Sequence, residues 1–522
     1  MSEPVYRDQV LAVEPTGIEY IPDDQRHGNP RSLFGLWFSA NAEIATWMVG
    51  VFAVALYGTS LAGAAAGLIV GNIVGFALLG ILGTFGPRYG VPQMVASRLA
   101  FGRYGNALPA ALSFLAGVLW FAVNSVFGAY ALQTIAQSLF RIPSSAATYA
   151  ISLALMLLLQ ILLAVYGYNM IHWFERVSSV LLGAGFTLLG VITFTHANWS
   201  STFNAHAPFA AGGEIGGVIL ATALGFAYAT GWVPCASDYS RYLPANTDPR
   251  RIWWYSFLGT VIPCIILEIM GAATVYAARG FDLSKATPTD AIHSLLQSVG
   301  APQLVGTIIL LSVVLGTLTA NCMNLYSGAM AALVVKFPTR SLRAPVILGA
   351  IFAALTALLF YSHVPAMVTI GLALGVGVIV GIVGHVRIAR WRAAIVVGVL
   401  GALIASGGGH PKETANLYTD FLLLLSYWAS PWAAVVLVDW LQRRGQRVAP
   451  EELEFGPSIR PGVYAWLIGL AASLPFWDQA WYTGPFANAY PQFGDLSYYV
   501  GFIVAAVVMV ALSPRRAIAE RR

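Results

Sequence analysis

A handful of polar and aromatic residues stand inside long apolar runs, where side chains with hydrogen-bonding capacity are costly unless used. The run from Trp37 to Thr46 contains Ser39, Asn41, Glu43 and Thr46. A carboxylate in such a run costs several kcal/mol if charged and unpaired, so Glu43 is a functional candidate by default. Three roles are open to it: a proton carrier, the partner of an amino or amidine group on a solute, or half of a structural pair. Trp120 and Asn124 are four residues apart, one helical turn on a single face. An indole presents a π face to a planar ring, and an amide both donates to and accepts from ring nitrogens and carbonyls. The same residue types recur at Trp232, between Gly231 and Pro234, and at Asn321 and Asn324. Each also has a structural use: Trp as a packed or lipid-facing side chain, Asn321 and Asn324 as interhelical hydrogen bonds, and Asn41 as a cap on local backbone.

These residues need a scaffold, and the composition says which solvent surrounds it. The 522 residues are 58% hydrophobic and only 10% charged, outside what an aqueous surface tolerates. Apolar runs of about 20 residues, enough to cross roughly 30 Å of hydrocarbon, recur from Phe34 to Leu512. They are continuous rather than alternating, which excludes a membrane β-barrel. The expected architecture is an all-α polytopic membrane protein. Spans are predicted at 35–57, 61–85, 107–135, 147–166, 177–195, 214–237, 252–277, 303–333, 346–361, 365–385, 393–408, 418–440, 461–478 and 497–512, fourteen in all.

Charge orients them. With the N-terminus inside, 24 of the 28 Lys and Arg fall in cytoplasmic segments, and only Arg141, Arg279, Lys285 and Lys412 lie outside. The positive-inside rule then puts both termini in the cytoplasm, and the expected location is the inner membrane. Residues 1–33 lack a basic start and a short apolar core, and read as a cytoplasmic tail rather than a cleaved signal. The net charge of +5 is explained by this bias and implies no nucleic acid. Cys235, Cys264 and Cys322 all sit in apolar runs, against a disulfide framework. Gly63, Gly67, Gly71 and Gly75 line one face of span two and permit close helix contact.

Transporter sites form where membrane helices are interrupted, because freed backbone groups near the midplane can bind solute and ions. Span one, with Ser39 to Thr46, and span six, with Gly231 and Pro234, are the two candidates. They are five spans apart and therefore oppositely oriented, as two five-helix inverted repeats require. A channel would show a repeated pore-lining or filter motif, and none is visible. An embedded enzyme is disfavoured too: the eight histidines include no HExxH, and no nucleophile–base or paired-carboxylate spacing occurs in the interior.

With these residues in view, the chain resembles the nucleobase-cation symporter family, in its purine-cytosine permease branch. The resemblance runs in order along most of the chain. It rests on Gly17 to Pro22 with Arg26, Trp37 to Asn41, Gly86 to Gly90 with Gln93, Met94, Ser97 and Arg98, Phe101 to Gly105, Ala236 to Pro244, Thr319 to Ser327 and Ser426 to Trp432. It implies a leucine-transporter-type fold, with repeats at 34–195 and 214–440, two further spans at 461–512 and a tail at 513–522. Family members usually have twelve spans, so residues 342–386 look like an inserted hairpin.

The resemblance also implies roles. Trp120 and Trp232 would sandwich a base, with Asn124 and Asn324 as amide contacts and Asn321, Asn41 and Glu43 beside them. A coupling cation, Na+ or H+, would sit between backbone carbonyls from Ala40 to Ile44 and the hydroxyls of Thr319 and Thr317, since a hard cation needs oxygen ligands. Thr319 is followed by Ala320, so that site is incomplete as read. Asp238 and Arg241, three residues apart, read as a gate-side ion pair. Glu268 has no counterpart that assigns it a role. The implied activity is uptake of a small planar nitrogen-rich solute, cytosine or a purine, with allantoin, a hydantoin or a pyridine-type vitamin as the alternative. No cofactor and no obligate protein partner are implied.

Overall fold

The computed structural model describes residues 10–277, 288–335, 389–407, 411–443, 448–479 and 482–513. The hairpin expected at 342–386 lies outside them. The described residues are mostly helical. Its main helices are α1 (Ser32–Asn41), α2 (Ile44–Ala55), α3 (Leu61–Gly83), α4 (Ala107–Phe140), α5 (Ala146–Tyr166), α6 (Tyr168–His196), α7 (Gly213–Trp232), α8 (Pro249–Ala277), α9 (Pro288–Ser298), α10 (Gln303–Val334), α11 (Arg390–Gly407), α12 (Pro411–Gln442), α13 (Gly462–Ser473) and α14 (Ser497–Leu512).

Among the described residues, eight helices are long and apolar enough to cross a membrane, nine if the bent pair α1 and α2 is one span. The spans expected at 461–478 and 497–512 are shorter apolar helices of 12 and 16 residues. At α13 the reason is Pro475, which takes the chain out of the α-helix into a 3-10 turn, Leu474–Phe476. Span five starts at Tyr168 rather than 177, directly after Gly167 at φ 91°, a conformation that favours glycine.

Two packed groups form the body. One contains α1 and α2, α3, α7 and α8; the other contains α4, α5, α10 and α11. Spans one and six, two and seven, and three and eight, each five spans apart, are thereby packed together. Small residues set the contact distances. A Cβ at Gly71 of α3 would lie 2.3 Å from the Thr222 carbonyl of α7, and one at Gly271 of α8 would lie 1.8 Å from the Trp47 carbonyl of α2. These helices touch backbone to backbone.

Candidate solute-binding site

Span one is broken where the sequence places its polar residues. α1 ends at Asn41, Glu43 is extended (φ −141°, ψ 168°), and α2 leaves at 53° to α1. The freed backbone is met by side chains from four elements. Asn41 Nδ2 donates to the Trp37 carbonyl at 2.8 Å, and Thr46 Oγ1 donates to the Asn41 carbonyl at 2.6 Å. Tyr418 on α12 donates to the Ala45 carbonyl at 2.9 Å, and Thr319 on α10 donates to the Ser39 carbonyl at 2.9 Å. The Asn41 side chain thus bonds back to its own helix, and its Oδ1 also accepts from Cys264 Sγ at 3.4 Å. Span six loses its α-helix at Trp232 and continues as a 3-10 turn, Val233–Cys235, because Pro234 has no N–H to donate.

Between the breaks lies a closed polar and aromatic cluster. Tyr228 of α7 donates to Glu43 Oε1 at 3.2 Å and lies 2.6 Å from Thr46 Oγ1. Trp120 of α4 meets Tyr228, Tyr418 and Phe421 edge-on, with ring centroids 5.6, 5.7 and 5.3 Å apart. Its indole also approaches Gly231, so it flanks the stretch of α7 that carries Trp232. Trp232 in turn packs edge-on against Trp37 at 5.7 Å. Asn124 is fully buried against Glu43, the two side chains being close enough to interact, yet neither Asn124 amide atom nor Glu43 Oε2 makes a hydrogen bond of good geometry. Buried polar groups that lack well-formed hydrogen bonds cost up to about 1–3 kcal/mol each, so this pair can gain from a partner that satisfies it better.

Other expected residues fall into place differently. Asn321 donates to the Phe121 carbonyl at 2.9 Å and to Ser125 at 3.2 Å, tying α10 to α4; Asn324 donates to Asn321 Oδ1 at 3.1 Å. Ala40 and Ile44 flank the break, and Thr319 reaches it. Thr317 is turned away, bonded to the Val314 carbonyl and facing Gly128 of α4, because two residues along a helix rotate a side chain to nearly the opposite face. The Asp238–Arg241 pair is not made. Asp238 accepts from the Gln93 backbone at 2.8 Å, while Arg241 pairs with Glu14 at 2.5 Å, since the N-terminal segment supplies a nearer carboxylate. Burial pushes the Asp238 carboxyl up to about 7, against the opposing effects of the Gln93 N–H, Ser327 and Arg241. Glu268 accepts from Asn72 of α3 at 2.5 Å, and its Oε1 has no partner.

Sequence reasoning missed Tyr228 and Tyr418, whose hydroxyls hold the break, and Glu175, a fully buried carboxylate on α6. No group of three or more His, Cys, Asp or Glu among the described residues is arranged to hold a metal.

A bundle of apolar helices, two of them broken around a closed site with unpaired polar groups, is the design of a secondary transporter. Residues 20–389 match the family of permeases for cytosine/purines, uracil, thiamine and allantoin, and the chain belongs to that family. It is similar to a putative purine-cytosine permease of Bacillus subtilis (26% identity over 97% of both chains) and to a purine-cytosine permease of Emericella nidulans (26%, covering 97% of this chain and 89% of that one). A vitamin B6 transporter of Saccharomyces cerevisiae is 23% identical over 52% of this chain and 46% of its own length. The fold is that of Mhp1, a nucleobase-cation-symport-1 family transporter solved in a closed conformation with bromovinylhydantoin bound. The TM-score is 0.64 at 17% identity, covering 97% of this chain and 95% of that one. The chain is a transporter and not an enzyme.

Proposed function

We infer that this protein imports a nucleobase, cytosine or a purine, by cation symport and alternating access. The observation that carries the reading is the Asn124 amide against Glu43 Oε2, neither with a well-formed hydrogen bond, within a wall of aromatic rings. A planar ring bearing both donors and acceptors would satisfy the amide and carboxylate at once, while stacking on Trp120 and Trp232. Asn324, Asn321 and Asn41 complete the lining of this proposed pocket. The side chains are buried, so solute reaches them only when one face opens, which is the requirement of alternating access. The coupling cation, Na+ or H+, is assigned to the break from Ala40 to Ile44 with Thr319. The same reading proposes an inner-membrane location with both termini cytoplasmic, twelve core spans and an added hairpin at 342–386.

A second reading, uptake of allantoin, a hydantoin or a pyridine-type vitamin, is kept because the vitamin B6 transporter and the hydantoin-bound structure share this sequence or fold. Uptake into liposomes of labelled cytosine, adenine, hypoxanthine, uracil, allantoin and pyridoxine, under separate Na+ and proton gradients, decides between them. Uptake of one base under one gradient is expected. Uptake of another solute, with no base moved under either gradient, would overturn the nucleobase assignment.

A further inference from the structure

Glu175 has no part in the solute site, yet its surroundings are those of a working group. It lies seven residues into α6, about 10 Å along the helix, and is fully buried. Ser39 Oγ of α1 donates to its Oε2 in a very close contact, and Cys322 Sγ of α10 donates to its Oε1 at 3.2 Å. Ser39 stands just before the break, and its carbonyl accepts from Thr319 Oγ1, which is also 2.7 Å from the Gly316 carbonyl. One carboxylate, two hydroxyls and two carbonyls thus converge where α1, α6 and α10 meet. The ionisable groups around Glu175 are Cys322 on α10, Glu43 at the break and, one turn earlier on its own helix, His172, whose Nδ1 is buried without a partner. None of the ion pairs among the described residues involves Glu175.

A buried carboxylate with no countercharge costs several kcal/mol, and removing one partner of a buried pair has the same effect. We propose that Glu175, with Ser39 and Thr319, is the receptor of the coupling cation: a site for one positive charge that fastens α1 to α6 and α10. This rests on the symport reading above and names the group that performs it. Ser39 belongs to the half-helix that ends at the break, whereas Glu175 and Thr319 belong to unbroken helices. A charge held among them binds one arrangement of α1 better than another, and such differential binding is what couples an ion to a conformational change. A sodium ion and a proton supply the same single charge, and the experiment separates them.

Cation binding is read first without solute, as thermal stabilisation of the purified protein by NaCl against choline chloride, and by acid pH in choline chloride alone. The wild type is expected to respond in one arm and Glu175→Gln in neither. In liposomes, the wild type should concentrate its base about tenfold or more under the matching gradient. Glu175→Gln should reach no more than equilibrium while still exchanging labelled for unlabelled base at close to the wild-type rate. Ser39→Ala, which keeps the carboxylate, should need a several-fold higher cation concentration for half-maximal accumulation. Concentrative uptake by Glu175→Gln, an unchanged cation response, or loss of exchange in a variant that still binds the base would each overturn the proposal. If the wild type carries a solute of another kind, the nucleobase reading fails, and the solute-free cation response still decides the role of Glu175.

Discussion

Asn124 separates a binding residue from a packing residue, because the two roles predict opposite effects on the empty protein. A packing amide would have well-formed bonds; this one makes only a contact with Glu43 that falls short of hydrogen-bond geometry, so replacing it with an apolar side chain of similar size removes little bonding and relieves a penalty. Asn124→Leu should leave the thermal stability of the empty protein unchanged or raised, while affinity for the base falls about tenfold, as loss of one hydrogen bond to a buried polar ligand implies. Loss of stability with unchanged affinity would make Asn124 structural. Trp120→Ala should weaken binding by about 1–3 kcal/mol, the usual worth of a base–aromatic stack, read by titration of the same ligand. Asp238 supplies a pH effect. Its carboxyl is raised in the folded protein to about 7 from an ordinary value of 3.8, so the folded state holds the proton more tightly than the unfolded one. The resulting stability is fully present below pH about 4 and is lost as pH rises toward 7, at up to roughly 1.4 kcal/mol per unit. Melting in detergent from pH 5 to 8 should therefore fall with pH in the wild type and be flatter in Asp238→Asn; parallel curves would remove Asp238 as the source.

At the level of elements, the breaks in spans one and six were legible because each carries a local chemical signal, polar residues at Ser39 to Thr46 and Pro234 after Gly231. Thr319 was expected opposite the break through the family resemblance, but the Tyr228 and Tyr418 hydroxyls were not, because they come from helices remote in sequence. Glu175 was missed for a simpler reason. His172, Glu175 and Arg176 lower the hydropathy of the first turns of α6, so span five was expected from 177 and its carboxylate fell into a loop. The amphipathic pattern from Met170 to Leu182, with Glu175 on the same side as Ile171 and Ser178, was the signal available. The break also depends on how closely α10 approaches it. A Cβ at Gly316 would lie 2.6 Å from the Ala42 carbonyl and 3.1 Å from Glu43 Cα, backbone atoms that cannot turn aside. Gly316→Ala is expected to cost about 1–3 kcal/mol by overpacking and to abolish transport by displacing the break. A wild-type melting temperature together with wild-type uptake would show that α10 can shift without consequence.

For the molecule as a whole, the N-terminal segment is more than a solvated tail. Glu14 has a fully buried carboxylate that accepts from Arg241 at 2.5 Å, Tyr242 at 2.8 Å and Tyr326 at 3.2 Å, takes the Tyr168 backbone N–H at 3.1 Å and faces Arg390 at 3.4 Å. One side chain thus ties the segment after α7 to α10, the start of α6 and the start of α11. Arg26 adds bonds to the Ile21 and Pro87 carbonyls at 2.9 and 2.7 Å. No single stretch of sequence announces this hub, since its members lie from 154 to more than 300 residues from Glu14 and only the fold brings them together. If opening this face separates those elements, the Glu14 cluster must break with it, and weakening the cluster is expected to favour opening. Glu14→Gln removes the charge while keeping the shape, leaving Arg241 and Arg390 without their carboxylate, a change of about 3–5 kcal/mol for a buried pair broken on one side. Cys235, buried just beyond α7 on the same side of the bundle, reports the opening. With Cys264 and Cys322 replaced by Ser, alkylation of Cys235 in membranes should be several-fold faster in Glu14→Gln than with Glu14 intact, and Arg241→Gln should behave alike. Equal rates in both variants and the parent would mean that the face is closed by the helices themselves, with the N-terminal segment only resting upon it.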